Sequence, residues 1–183
     1  DIYIWQSIVA IISVISMAIG SISALKQENL KRLFAFSTIA NIGYVFIGLA
    51  SASEDSIQAS LLYIVIYTFG ALGVFSFIMS LRKEDTQLVN IKDITGISNS
   101  YPILSLSLVV LLFSMAGIPP FAGFFAKLYI FTFAIEAGNL YLAILGVIFS
   151  VISAYYYLKI IKTMYLEVAD EELPGNFNNK QIF

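Results

Sequence analysis

An all-α fold that crosses a lipid bilayer about five times, its fourth crossing broken in the middle, follows from three features of this chain. Of its 183 residues 59% are hydrophobic and only 12% carry charge, whereas a water-soluble domain carries about 25% charged residues. The apolar residues gather in long runs of membrane-spanning length. Basic residues occupy only alternate connections between those runs, the pattern expected of the positive-inside rule.

The runs separate cleanly. Positions 2–25 form the first, with no charge between Asp1 and Lys26. Positions 33–53 and 57–81 form the second and third, and positions 137–158 the fifth, which continues amphipathically towards Tyr165. Each fits one helical crossing of about 20 residues. The fourth run, 94–135, is too long for one simple crossing and holds a single charge, Lys127. It also contains Gly117-Ile118-Pro119-Pro120, followed by Gly123. Adjacent prolines remove two backbone donors and disfavour helix at the residue before them. One discontinuous span is therefore expected, 102–116 and 121–135, with a break at Gly117–Pro120. The alternative is a hairpin of two crossings, for which about 15 residues per half is short.

The loop charges separate these two topologies. Lys26, Lys31 and Arg32 lie between runs one and two; Arg82, Lys83 and Lys92 lie between three and four; Lys159, Lys162 and Lys180 follow the fifth. The other two connections carry only Glu54, Asp55 and Glu136. Five crossings put every basic residue except Lys127 on one side, making the N-terminus external and the C-terminus cytoplasmic or matrix-facing. A hairpin would strand the basic C-terminal residues on the wrong side.

Positions 1–166 are thus expected to form one transmembrane unit. The segment 85–100 reads as a polar connector with some apolar spacing, lying along the surface, and 167–183 as an acidic, then Asn-rich tail without order. The chain opens on Asp1 and runs directly into an apolar segment, without the basic region or cleavage motif of a signal peptide, so an N-terminal part is expected to be missing. Cysteine and histidine are both absent, which removes thiolate iron–sulfur ligands, His-ligated haem, Cys/His zinc sites and thiol nucleophiles. No nucleic-acid patch and no nucleotide-binding Gly-rich loop is present.

Lys127 is the strongest candidate for chemistry. It lies nine residues before Glu136 and seven after Pro120, roughly 13 Å and 10 Å along a helix. That is near mid-depth, where a charged lysine costs at least about 2.5–3.5 kcal/mol. Burial disfavours the ammonium and a nearby carboxylate restores it; a group held between those extremes takes up and releases a proton. The alternative is a structural lysine satisfied by carbonyls, or one that snorkels. The break beside it, Gly117, Pro119, Pro120 and Gly123, frees amides and carbonyls that can hold water or an ion, or is simply a packing kink.

Ser37, Asn41 and Tyr44 share one face of the second span, and Tyr63 and Tyr67 one face of the third, with Thr68 beside them. Such groups can order a chain of water, or serve as interhelical glue. Lys31 and Arg32 read as lipid and topology anchors. Gly20, Gly43, Gly48, Gly70 and Gly73 read as close-contact points, and Tyr155-Tyr156-Tyr157 as an interfacial aromatic belt.

Several strings are characteristic in combination: Ser16-Met17-(x)2-Gly20, Ala24-Leu25-(x)-Gln27 and Leu30-Lys31-Arg32-Leu33-(x)-Ala35-(x)-Ser37-(x)-Ile39-(x)2-Ile42-Gly43-Tyr44. Tyr63-(x)3-Tyr67-(x)5-Gly73-(x)-Phe75 and Asp93-Ile94-(x)-Gly96-Ile97 follow. Last come Ser114-Met115-Ala116-Gly117-Ile118-Pro119-Pro120-Phe121-Ala122-Gly123-Phe124-Phe125-Ala126-Lys127 and the run from Ser150 to Tyr157. Over about 8–165 the chain resembles the antiporter-like, proton-translocating membrane subunits of NADH:quinone oxidoreductase (complex I), of the subunit N (mitochondrial subunit 2) type. Lysine at 127, where a sibling subunit type carries glutamate, distinguishes it from that sibling.

The resemblance implies a fragment of a larger inverted-repeat fold of fourteen helices, this chain matching helices nine to thirteen. Lys127 then resembles the terminal lysine of the second half-channel. Asn41 and Tyr67 stand where related subunits often carry histidine. The glutamate–lysine pair and second lysine of the first repeat are not in this chain, nor is a final helix expected after the fifth span. The implied function is proton translocation, with Lys127 as relay and Asn41, Tyr44, Tyr63, Tyr67 and Thr68 ordering water towards it. The implied setting is a bacterial cytoplasmic or mitochondrial inner membrane, among other membrane-arm subunits. NADH, flavin, iron–sulfur clusters and quinone would belong to partner subunits, and no cofactor to this one. A subunit of a multi-subunit Mrp-type cation/proton antiporter shares this architecture, and a purely structural membrane scaffold is the third possibility.

Overall fold

The computed structural model describes residues 2–83 and 86–167. In chain order it contains α1 (Ile2–Leu25), α2 (Leu30–Ser51), α3 (Glu54–Ser80), the strands β1 (Arg82–Lys83) and β2 (Thr86–Gln87), a 3-10 turn (Ile91–Ile94), α4 (Ile97–Ser100), α5 (Pro102–Ala116), α6 (Ala122–Glu136) and α7 (Leu140–Leu166). Helices α1, α2, α3 and α7 are each long and apolar enough to cross a membrane. Helices α5 and α6 have 15 residues each, about 22 Å apiece, too short to cross about 30 Å of hydrocarbon alone.

Local chemistry sets the boundaries. Asn29 caps α2 by accepting from the Arg32 amide, and Ser53 and Ser56 form a reciprocal capping box at the start of α3. Pro102 occupies the first turn of α5, where its missing N–H would be unpaired in any case.

Hydrogen bonds at the two ends fix the topology. At one end the α1–α2 loop meets the connector before α5: the Leu30 amide donates to Val89 O (2.7 Å) and the Ile91 amide to Glu28 O (2.8 Å). The same connector meets the end of α7, through Gly96 N to Thr163 O (3.2 Å) and Ser98 Oγ to Met164 O (2.8 Å). All three basic connections therefore gather at this end. At the opposite, acidic end, Asn139 in the α6–α7 loop donates to Ser51 at the end of α2 (3.3 Å). Helix α5 starts at the basic end and α6 finishes at the acidic end, so together they make one broken crossing and not a hairpin.

The core has two parts. Leu30, Leu33, Phe34, Phe77, Leu112, Ile160 and Met164 fill the basic half. Met17, Ile47, Ala126, Ile130, Ala134 and Leu142 fill the half towards the acidic end. Helices α1 and α2 approach closely because of glycine: a Cβ on Gly20 would lie 2.4 Å from the Ala40 amide nitrogen, and one on Gly43 2.5 Å from Met17 Cγ.

A two-residue antiparallel ribbon, Arg82 opposite Gln87 and Lys83 opposite Thr86, joins α3 to the connector and leaves the all-α class intact. The apolar spacing of the connector is used for packing: Ile91, Ile94 and Ile97, spaced by three, are buried at the basic end of the bundle. One expectation here is revised. The tyrosine run is not a belt, since only Tyr155 faces outward and Tyr156 and Tyr157 are buried. At the end of α7, Lys162 pairs with Glu167 at 3.2 Å, and this contact holds the exposed Glu167 carboxyl below its ordinary range. Of the tail expected to lack order, 167–183, only Glu167 is described; 168–183 lie outside the described residues, as do residue 85 at the start of the connector and residue 84 before it.

Candidate functional site

The break in the fourth crossing is built by a Schellman turn. Gly117 takes the left-handed conformation (φ 80°), which glycine adopts without strain. Its amide donates to Ser114 O (3.0 Å) and the Ile118 amide donates to Phe113 O (3.0 Å), the paired bonds of that motif. Two carbonyls of the last turn of α5, Met115 and Ala116, are left over. The chain then passes through the cis Pro119–Pro120 bond and re-enters helix at Ala122. Gly123 lets α6 start hard against the end of α5: its amide donates to Ser114 Oγ (3.1 Å), and a Cβ there would lie 1.8 Å from Ser114 O.

Lys127, one turn further on, is 3% exposed and reaches back to the two leftover carbonyls. Its Nζ donates to Met115 O at 3.0 Å and Ala116 O at 3.4 Å, and lies 3.3 Å from Ser150 Oγ on α7. The Tyr44 ring on α2 lies beneath it, 4.8 Å from Nζ to centroid. Every one of these partners suits a cation: the C-terminal dipole of α5, a hydroxyl oxygen and the negative face of a ring. Among the described residues no carboxylate pairs with it. The Ser150 hydroxyl can accept from an ammonium or donate to the lone pair of a neutral amine, so the same shell accommodates both protonation states.

A second polar group lies beside the first. Asn41 on α2 donates to Ser37 O (2.7 Å) and is 3.4 Å from Tyr157 Oη on α7. Ser37 and Tyr157 share a short hydroxyl–hydroxyl bond. Tyr63 on α3 donates to Asn41 Oδ1, and Tyr67 donates to Thr38 Oγ1 at 2.9 Å. Tyr63 meets Tyr44 edge to face, with 6.1 Å between centroids, so the two groups touch through aromatic rings.

The structure thus brings Asn41, Tyr44, Tyr63 and Lys127 to one buried layer, places Tyr67 at its edge, and puts Gly117, Pro119, Pro120 and Gly123 directly beside the lysine. It does not bring in Thr68, which is exposed and donates to Ile64 O in its own helix (2.8 Å). Ser150, Ser153, Tyr156 and Tyr157 were missed. The signal was present in their spacing, i, i+3, i+6 and i+7, which places them on one face of α7. No cluster of His, Cys, Asp or Glu able to hold a metal exists among the described residues.

The transmembrane family described as NADH:quinone oxidoreductase/Mrp antiporter matches residues 1–153. The NADH-quinone oxidoreductase subunit N of Methylobacterium nodulans is 46% identical over 165 residues, 90% of this chain and 34% of that protein. That of Pelagibacter ubique is 47% identical over 174 residues, 95% of this chain and 37% of that protein. This chain therefore spans little more than a third of the length of these curated relatives. Among solved structures, a chain of respiratory complex I from Thermus thermophilus with bound aureothin superposes with a TM-score of 0.80 at 28% identity, over 93% of this chain and 39% of that one. A chain of the Mrp complex from Dietzia sp. DQ12-45-1b superposes at 0.79 with 23% identity, over 90% of this chain and 31% of that one, a likeness of fold alone. On the family match and these subunit N relatives, the chain belongs to the NADH:quinone oxidoreductase/Mrp antiporter transmembrane family.

Proposed function

We propose that the chain is part of a subunit N of respiratory complex I in a bacterial cytoplasmic membrane, and that Lys127 relays protons within it. The observation that carries the relay is the seating of Lys127, on two open carbonyls of a broken helix and a hydroxyl that serves both of its protonation states. A lysine kept merely for packing gains nothing from that arrangement, since a methionine of similar length would fill the space without desolvating a charge. Asn41, Tyr63, Tyr67 and Tyr44 supply hydroxyl, amide and ring groups around it that hold their own protons at neutral pH and pass protons only through water.

In this mechanism the redox steps belong to partner subunits, which would hold NADH, flavin, iron–sulfur clusters and quinone. Their effect reaches this chain as a change in the electrostatic surroundings of Lys127. An approaching negative charge favours the ammonium and draws a proton on; its withdrawal leaves a desolvated cation that gives the proton up. The matching family model takes in both complex I and Mrp antiporter subunits, and the solved Mrp chain adds a likeness of fold alone, whereas the sequence identity of 41–47% to subunit N relatives supports complex I.

The test is Lys127→Met in the full-length parent, with proton pumping, NADH oxidation and assembly followed in the same membrane vesicles. Loss of a positioned proton-transfer group is expected to slow the coupled reaction by about 10²-fold or more, with assembly intact. Full pumping and turnover would make Lys127 structural and this part of the protein scaffold. Pumping that requires sodium and persists without NADH oxidation would move the assignment to the antiporters.

A further inference from the structure

Lys127 keeps its amine in the interior with no anion beside it among the described residues, at 3% exposure. An ammonium so placed persists only where other groups replace the counter-ion. Its three N–H groups have three acceptors, Met115 O, Ala116 O and Ser150 Oγ, at 3.0, 3.4 and 3.3 Å. These oxygens accept hydrogen bonds from the amine in either protonation state. The Tyr44 ring, 4.8 Å from Nζ to centroid, adds a contact that depends on charge. Its negative face attracts the cation and offers little to the neutral amine.

The surroundings hold that ring in place. Tyr44 is 0% exposed, and its Oη has no hydrogen-bond partner among the described residues. The hydroxyl therefore ties it to nothing there, and what Tyr44 offers the lysine is its ring. Tyr63 from α3 and Phe131 from α6 each meet it nearly at right angles, at 78° and 74°, with 6.1 Å between centroids in both pairs. This is the edge-to-face arrangement that aromatic pairs prefer, and two such contacts fix the ring plane. Phe131 lies one turn after Lys127, so a single face of α6 carries both the amine and the ring that braces Tyr44. Gly146 on α7 makes room for Phe131, since a Cβ there would fall 2.5 Å from Phe131 Cε1. Residues of α2, α3, α6 and α7 thus position one ring.

We propose that the Tyr44 ring is a positioning group for Lys127, its negative face taking the place of a carboxylate counter-ion. A carboxylate at low dielectric would hold the ammonium strongly and oppose release of its proton. A ring face attracts the ammonium more weakly, so both protonation states stay within reach. No charged group of the described residues competes with it. The titratable side chains that the packed elements bring to this layer are Tyr63 and Tyr67 from α3 and Tyr156 and Tyr157 from α7, phenols that are neutral at neutral pH. Helix α5 brings only its carbonyls to Nζ, and α1 brings serine hydroxyls to the neighbouring helices. The proposal rests on the relay role proposed for Lys127 and names its charge partner.

The test uses the intact complex, with assembly followed on a native gel and Lys127→Met alongside. Tyr44→Leu removes the ring face. Pumping and turnover are expected to fall about tenfold, and the alkaline limb of the pH–turnover profile to move about one unit to lower pH. The sign follows because the ammonium loses a partner that the neutral amine never had. Tyr44→Phe keeps the face and drops only the hydroxyl, so it is expected to restore both readouts to within about twofold. Mono-, di- and trifluorinated phenylalanine at position 44 nearly keep the shape of the ring and weaken its face stepwise. Rate and alkaline limb are expected to step down in that order, and this series decides the matter even if Tyr44→Leu fails to assemble. A flat fluorinated series, or Tyr44→Leu behaving as Tyr44→Phe, would reduce Tyr44 to packing and overturn the proposal, while an impaired Lys127→Met would leave the relay standing. Normal pumping in Lys127→Met would remove the relay, and the role of the ring with it.

Discussion

Gly117 has two duties that can be separated at the level of one residue. Its positive φ closes the Schellman turn, and its missing Cβ leaves room for the lysine: a Cβ there would sit 3.1 Å from Lys127 Cδ and 3.6 Å from Nζ. Gly117→Ala is expected to cost about 1–2 kcal/mol from the left-handed backbone and to push the ammonium off Met115 and Ala116. Gly117→Asn relieves part of the backbone strain but crowds the lysine equally, so it should regain stability without regaining pumping. Melting curves and pumping assays on the two variants check this; wild-type pumping in either would show that the lysine does not depend on this seat. The lysine itself was legible in the sequence from depth alone. Thr68 was not, because adjacent helical residues lie about 100° apart, and the face that buries Tyr63 and Tyr67 turns Thr68 outward. The same rotation divides the tyrosine run, sending Tyr155 out and Tyr156 and Tyr157 in.

Between elements, backbone proximity sets tolerance to change. Gly20 on α1 faces α2 backbone, its added Cβ falling 2.4 Å from Ala40 N and 2.7 Å from Phe36 O. Gly70 on α3 faces only the flexible Met115 side chain, at 3.3 Å. Gly20→Ala should therefore force the helices apart at a cost of about 1–3 kcal/mol, while Gly70→Ala should be tolerated as Met115 shifts. The amount of assembled complex on a native gel and its melting midpoint measure both; equal behaviour of the two variants would sink the distinction. The glycines were visible as small residues in apolar runs, but sequence spacing does not say whether backbone or side chain lies opposite. The connector shows the same limit. Its apolar spacing is visible, with Ile91, Ile94 and Ile97 alternating with Lys92, Asp93 and Asn99, but spacing alone does not say that this edge is buried against the bundle.

Over the whole molecule, the topology was legible because charge and length constrain it independently. Neither 15-residue half of the fourth crossing spans a bilayer, and the basic connections can share one side only if the two halves count once. Hydrogen bonds from the Leu30 amide to Val89 O and from the Ile91 amide to Glu28 O, and from the connector to Thr163 O and Met164 O, bring those basic segments together. What the sequence could not supply was the meeting of α2 with α7 across more than a hundred residues, since Ser37 and Tyr157 gain a common purpose only when the crossings are assembled. The chain contains no cysteine, so single cysteines report sidedness without background from this subunit. Glu54→Cys and Glu136→Cys in the full-length parent, with the other subunits' reactive thiols blocked or removed, should react with a membrane-impermeant maleimide from one side of oriented vesicles. Lys92→Cys should react from the other. In a hairpin topology the break would lie at a membrane face and Glu136 would emerge on the same side as Lys92. Labelling of Glu136→Cys together with Lys92→Cys would therefore require α5 and α6 to cross separately, move Lys127 from mid-depth, and remove the physical basis for the relay role proposed for it.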